Sequence, residues 1–167
     1  FVKPLGNVRR EITRSDVEAF GKQKGMSFRV RPAAVVEGAI NEGTLDLVNA
    51  YKRIRPLTKF PFKFTITGPH MLSKTLLDYH YKDLPSLAHA IAEVLAKQIK
   101  EIDADVVQLD EANIPGSPDE WKWAASALNV MLDAVPKTPA VHLCFGNYGG
   151  QTIQKRTWEK LIAYMNA

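Results

Sequence analysis

The chain has one cysteine, and it stands two residues after a histidine at the end of an apolar run, Val141-His142-Leu143-Cys144-Phe145, with Gly146-Asn147-Tyr148-Gly149-Gly150 following. On a strand, successive side chains alternate faces, so His142 and Cys144 would share a side and Val141, Leu143 and Phe145 the other. An imidazole and a thiolate-capable sulfur at one strand end are donors that zinc favours, and a tetrahedral site needs about two more. The same spacing also suits a buried cysteine acting as an inert small hydrophobe.

Two other segments bring polar groups to what read as strand ends. Asp105 to Asp110 is nearly continuous in apolar residues yet carries Gln108 and Asp110 on one face and leads into Glu111. Pro61 to Thr67 is aromatic and β-branched and stops at Gly68-Pro69-His70, a strand followed by a turn. Parallel sheets place ligand sites at the carboxyl ends of their strands. If the face of Asp110 is also that of His142 and Cys144, a carboxylate lies beside the metal-type pair.

The elements needed to position these residues alternate regularly. Leu84, Leu87, Ala88, Ile91, Leu95, Ile99 and Ile102 recur at helical spacing behind Asp83, a cap, with Pro85 in the first turn. A second helix is expected from about Pro118 to Val135, with Trp121, Ala124, Ala125, Leu128, Met131 and Leu132 as its apolar stripe. A strand from Ala140 to Phe145 follows, and Trp158, Leu161, Ile162 and Met165 begin another helix. The first sixty residues are less regular. Ser15 to Glu18 has capping-box spacing, Ser27 to Ile40 is mostly β-type with Pro32 at an edge or break, and Thr44 to Ile54 looks helical.

These units make an α/β fold of parallel βα repeats. With 167 residues and 46% hydrophobic content, residues 1–167 form a single domain around one core. A closed eight-stranded barrel needs about 250 residues, so the expectation is an incomplete TIM-type (β/α)8 barrel, part of a larger fold. Its open strand edges favour a homo-oligomer that covers them.

Charge and composition exclude other classes. The net charge of +4 comes from Lys and Arg scattered among acids. The densest clusters, Arg9-Arg10 and Lys52 to Arg55, read as solvated surface and do not point to nucleic acid, because no basic run is interleaved with aromatics. No apolar run approaches the roughly 18 residues of a membrane span. A single cysteine excludes an internal disulfide and fits a reducing cytoplasm.

Taken in order, Thr67-Gly68-Pro69, the long helix, Val107-Gln108-Leu109-Asp110-Glu111 and His142-Leu143-Cys144 before Gly146-Asn147 resemble the catalytic barrel of the cobalamin-independent methionine synthase family. The form His-x-Cys-x-Gly-Asn looks most like its shorter, single-barrel relatives, which include alkyl transfer to coenzyme M. The resemblance implies that His142 and Cys144 are two zinc ligands and that Asp110, a catalytic and substrate-binding residue, holds the amino group of homocysteine. Glu111 falls in the same substrate-binding motif. It implies a zinc-bound thiolate attacking the methyl group of a methyltetrahydrofolate, so the partners are a small-molecule thiol and a methyl donor. The family's remaining zinc ligands, a glutamate and a second cysteine, would lie beyond Ala167. The tryptophan that stacks on the folate in the long enzymes has Thr75 near its place.

Other polar positions carry a functional reading, His70 and Glu111 beside a structural one. His70 could touch substrate or be a loop histidine with a backbone partner. His80, between Tyr79 and Tyr81, could belong to an aromatic surface for a ring-shaped donor. Glu111 could bind metal or orient a ligand, or cap nearby amides. Asn147 and Tyr148 could supply the outer hydrogen bonds that metal-bound imidazoles require. His89 reads as an exposed helix residue.

Overall fold

A computed structural model describes residues 1–23, 29–144 and 158–167. Six strands and six α-helices alternate along it: β1 (Gly6–Arg9), α1 (Arg14–Lys22), β2 (Ala34–Asn41), α2 (Leu47–Ile54), β3 (Lys63–Thr67), α3 (Pro69–Ser73), β4 (Leu76–Asp78), α4 (Leu84–Ile99), β5 (Val106–Asp110), α5 (Trp121–Leu132), β6 (Thr138–His142) and α6 (Trp158–Met165). The strands form two three-stranded sheets. β3, β5 and β6 are parallel throughout, in the order β3-β5-β6, whereas β2 pairs antiparallel with β1 and parallel with β4. The expectation of parallel βα units therefore holds as a mixed α/β fold with a parallel sheet; the described strands do not close into a barrel.

Alternation along β3 and β5 splits the parallel sheet into two faces. Phe64, Ile66, Val107 and Leu109 are buried and join one apolar core with Leu87 and Ile91 of α4 and Leu128 and Met131 of α5. The opposite face carries Lys63 and Thr65, which are exposed, and Gln108 and Asp110, which are half-buried. α4 begins where expected: Asp83 accepts the Ser86 amide at 2.9 Å and Pro85 occupies the first turn, where its missing N–H costs nothing. Buried Ala88, Ala92, Ala124 and Ala127 on α4 and α5 belong to the same core, and such small side chains let packed helices approach closely.

Several boundaries differ from the sequence expectation. The strand expected over Ala140 to Phe145 is instead β6, Thr138–His142, and Phe145 lies outside the described residues. Pro139 sits within it, tolerated because β6 is an edge strand. The segment after Gly68 is not a simple turn but a short helix, α3, with Pro69 at its first position. The first-turn cap of α1 is Thr13 with Asp16, in place of Ser15 with Glu18: the Thr13 hydroxyl accepts the Asp16 amide, and the Asp16 carboxylate accepts the Thr13 amide. Both pairs have the same spacing, and the choice falls to Asp16 because Arg9 and Tyr79 also bind its carboxylate. Arg9 is accordingly not a solvated charge; its guanidinium joins Asp16 and Glu37.

Candidate functional site

The register of the parallel sheet aligns the three strand ends. Thr67 is opposite Asp110, and Asp110 is opposite His142. Directly paired residues share a face, so the carboxylate and the imidazole project from neighbouring strands on the polar side of the sheet. The register sets Asp110 beside His142, whereas Cys144 lies beyond the strand and outside this pairing. A row of side chains runs along this face: Lys63 Nζ donates to Gln108 Oε1 at 2.8 Å, and Gln108 Nε2 donates to Asp110 Oδ1 at 2.7 Å. Gln108 thereby fixes one carboxylate oxygen of Asp110.

His142 is exposed and is the last residue of β6. Leu143 turns to pack on the apolar core, and Cys144 is half-buried. Since the strand ends at His142, strand alternation no longer governs which way Cys144 points. Asn147 and Tyr148 lie outside the described residues. As a test of fit to zinc, the donor types are right, a nitrogen and a sulfur two residues apart. Their number is not sufficient: among the described residues, no group of three or more His, Cys, Asp or Glu is gathered as a metal ion requires.

Glu111 is placed differently from Asp110. It is fully buried, and its two carboxyl oxygens accept the backbone amides of His70 at 2.9 Å and Met71 at 3.0 Å, the first turn of α3. Burial pushes its carboxyl up to about 8, against the opposing pull of those two amides. Gly68 makes room for it: a Cβ there would lie 2.3 Å from Glu111 Oε1. The backbone of Glu111 bridges the strand ends as well, donating to the His142 carbonyl at 2.9 Å, while Gly68 donates to the Asp110 carbonyl at 2.8 Å.

His70 is also fully buried. Its Nε2 lies 2.7 Å from Glu120 Oε2, and the same oxygen accepts Lys74 Nζ at 2.7 Å. Lys74 further donates to the Ser117 hydroxyl at 2.8 Å, and the Trp123 ring packs against the imidazole at 4.8 Å between centroids, tilted by 39°. Burial holds the His70 pKa below its ordinary value, more than the Glu120 hydrogen bond raises it. For Glu120, burial works upward but the bonds from His70 and Lys74 prevail and hold it low. Sequence reading singled out His70 and missed Glu120 and Lys74. Neither has a local signal, since each meets its partner across more than forty residues.

The remaining aromatic and histidine positions have structural partners. Tyr81 accepts the Ile40 amide, Tyr79 donates to Asp16, and His80 packs edge-on against Tyr81. His89 is half-buried on α4, not exposed.

No family model matches the chain. A 2-hydroxypropyl-CoM lyase from Xanthobacter autotrophicus is 32% identical over 122 residues, 71% of this chain and 32% of the relative. A methionine synthase from Sulfolobus acidocaldarius is 31% identical over 111 residues, 65% of this chain and 32% of the relative, and one from Sulfurisphaera tokodaii is 32% identical over 89 residues, 52% and 26%. Among solved structures, a B12-independent methionine synthase from Shewanella sp. W3-18-1, in complex with selenomethionine, superposes with a TM-score of 0.72 at 27% identity, covering 91% of this chain and 43% of that one. The chain spans about a third of the length of the curated relatives it matches. The resemblance carried by the motifs is thus shown along the chain, which is similar to cobalamin-independent methionine synthases in both sequence and fold.

Proposed function

From this similarity we propose that the chain carries part of the site of a thiol alkyltransferase, and that the reaction is methyl transfer from a methyltetrahydrofolate to homocysteine, giving methionine. The observation that supports it most is the register that sets Asp110 beside His142 at the carboxyl edge of a parallel sheet, with Cys144 two residues on. The two sheets are read as a portion of a TIM-type (β/α)8 barrel, whose interior would be the face of Lys63, Gln108 and Asp110. The partners are then a small thiol and a methyl donor, and a reducing compartment such as the cytoplasm keeps Cys144 a thiol. No described helix is long and apolar enough to cross a membrane.

In this reading His142 and Cys144 are zinc ligands, and the remaining ligands come from outside the described residues. Bound zinc would supply a lowered thiol pKa, so that the acceptor sulfur is ionised at neutral pH. The chain's own residues orient the acceptor. Asp110, with one oxygen held by Gln108, presents negative charge toward the amino group of homocysteine. Glu111 serves the same acceptor indirectly, by tying the amides of α3 to the strand end on which Asp110 sits.

A second reading is supported by the similarity to 2-hydroxypropyl-CoM lyase: the acceptor or leaving thiol is coenzyme M, or the donor is a methylated corrinoid protein. A chain acting as an inert half barrel is the third. Zinc content after extensive dialysis, followed by assays with homocysteine and with coenzyme M, separates them. Zinc near one per chain together with turnover on homocysteine would support the methionine reading. Turnover with coenzyme M alone overturns the methionine reading, and a zinc-free, inactive chain overturns both enzyme readings for this polypeptide. Cys144→Ser should lose the metal. Asp110→Asn should keep it and raise KM for the amino acid by about tenfold or more, the loss of one charge-assisted contact; loss of zinc in that variant contradicts the role of Asp110.

A further inference from the structure

We propose that His70 is a positioning residue of this site, acting as a buried cross-link that locks the strand ends of β5 and β6 to the start of α5. The inference rests on the reading of Asp110 and His142 above, and it concerns residues that touch neither substrate nor metal in that reading. The link is continuous. The Glu111 amide holds the His142 carbonyl, the Glu111 side chain holds the amides of His70 and Met71, and the His70 ring holds Glu120 just before α5. Glu111 and His70 are fully buried and Glu120 is half-buried, so most of the link is shielded from water.

The protonation pattern of the link follows from its geometry. Glu120 Oε2 lies 2.7 Å from both Lys74 Nζ and His70 Nε2. Lysine can only donate, so Glu120 is an ionised acceptor, and His70 must present Nε2–H to it. A neutral ring then keeps a bare lone pair on Nδ1. That atom is buried without a hydrogen-bond partner, 3.8 Å from Glu111 Oε2. Only one ring nitrogen is therefore engaged, and it faces α5. The Trp123 ring packs against the imidazole at 4.8 Å, tilted by 39°. A residue that merely filled space here would not need the hydrogen on Nε2. Glutamine can place an amide N–H where Nε2 stands, whereas leucine fills similar volume without a donor.

Amide hydrogen exchange and long-range proton–nitrogen correlation spectra of the intact chain test this without any activity measurement. The wild-type ring is expected to be a single Nε2–H tautomer over the pH range in which the protein stays folded. In His70→Leu, the amides of Glu111 and Gly68, which bond the carbonyls of His142 and Asp110, should exchange about tenfold faster or more relative to amides of α4. In His70→Gln they should return close to wild-type rates. An Nδ1–H tautomer, or a ring that titrates freely, overturns the proposal. So does equal acceleration of exchange in both variants, or none in His70→Leu. If His70→Leu fails to fold, the tautomer and the His70→Gln rates decide alone. Failure of the methyltransfer reading would show as missing zinc or turnover with these spectra unchanged, so the two failures are distinguishable.

Discussion

Two carboxylates adjacent in sequence have opposite surroundings. Asp110 stays at the polar face with one oxygen held by Gln108, whereas Glu111 turns into the interior and spends both oxygens on backbone amides. Glu111 stands one residue past the end of β5, where its carboxyl meets the free amides of α3. A third carboxylate, Asp16, shows what a buried acid contributes when it is paired. Hydrogen bonds from Arg9, and then from Thr13, hold its carboxyl well below the usual range against the cost of burial. Because the folded pKa is depressed, its stabilising effect is complete above the unfolded value near pH 4 and is lost as pH falls below it. Asp16→Asn should therefore lower unfolding free energy by about 2 kcal/mol at pH 7. The gap from wild type should shrink by pH 3 in denaturant titrations; a gap independent of pH would contradict the ion pair.

At the scale of elements, α4 and α5 bury the apolar side of the parallel sheet and so hold the strand ends in register. Ile91 is fully buried at the middle of α4. Ile91→Ala should cost about 3 kcal/mol through the cavity left behind, measurable as a lower denaturant midpoint with an unchanged slope. A change within about 0.5 kcal/mol would mean that the helix does not pack on β3 and β5 as described. The short helix α3 illustrates a different kind of support. Five residues are too few to be stable alone, and its free amides are satisfied by Glu111 from forty residues away. Pro69 marks where a helix can start, but the acceptor that makes it start is visible only in three dimensions.

For the whole molecule, the parallel sheet has β3 and β6 at its edges among the described residues, and β6 is exposed along most of its length. Among the described residues no strand pairs with the outer edge of β6, and with Val141 41% exposed such an edge is a template for association. The expected outcome is a dimer or larger species at micromolar concentration by light scattering. Val141→Lys should shift it toward monomer. A wild-type monomer across the concentration range would remove the open-edge argument. This association concerns the polypeptide as it stands, whichever thiol the site serves.

The regular half of the fold was legible in the residues themselves. Apolar spacing gave α4 with its Asp83 cap, and β-branched and apolar runs gave β3 and β5, because these signals repeat within one turn or one strand; the zinc reading of His142 and Cys144 came from their types and spacing, and the thiol chemistry from the family resemblance alone. The short strands β1 and β4, the Thr13–Asp16 cap and the network of Glu111, His70, Glu120 and Lys74 were decided by tertiary structure. β1 and β4 have four and three residues, too few to show a period, and their partners come from elsewhere in the chain. The network joins residues forty to fifty positions apart whose types also suit exposed loops. Burial alone turned them into structure, since a carboxylate without water must find donors, and folding brought those of α3, His70 and Lys74 to it.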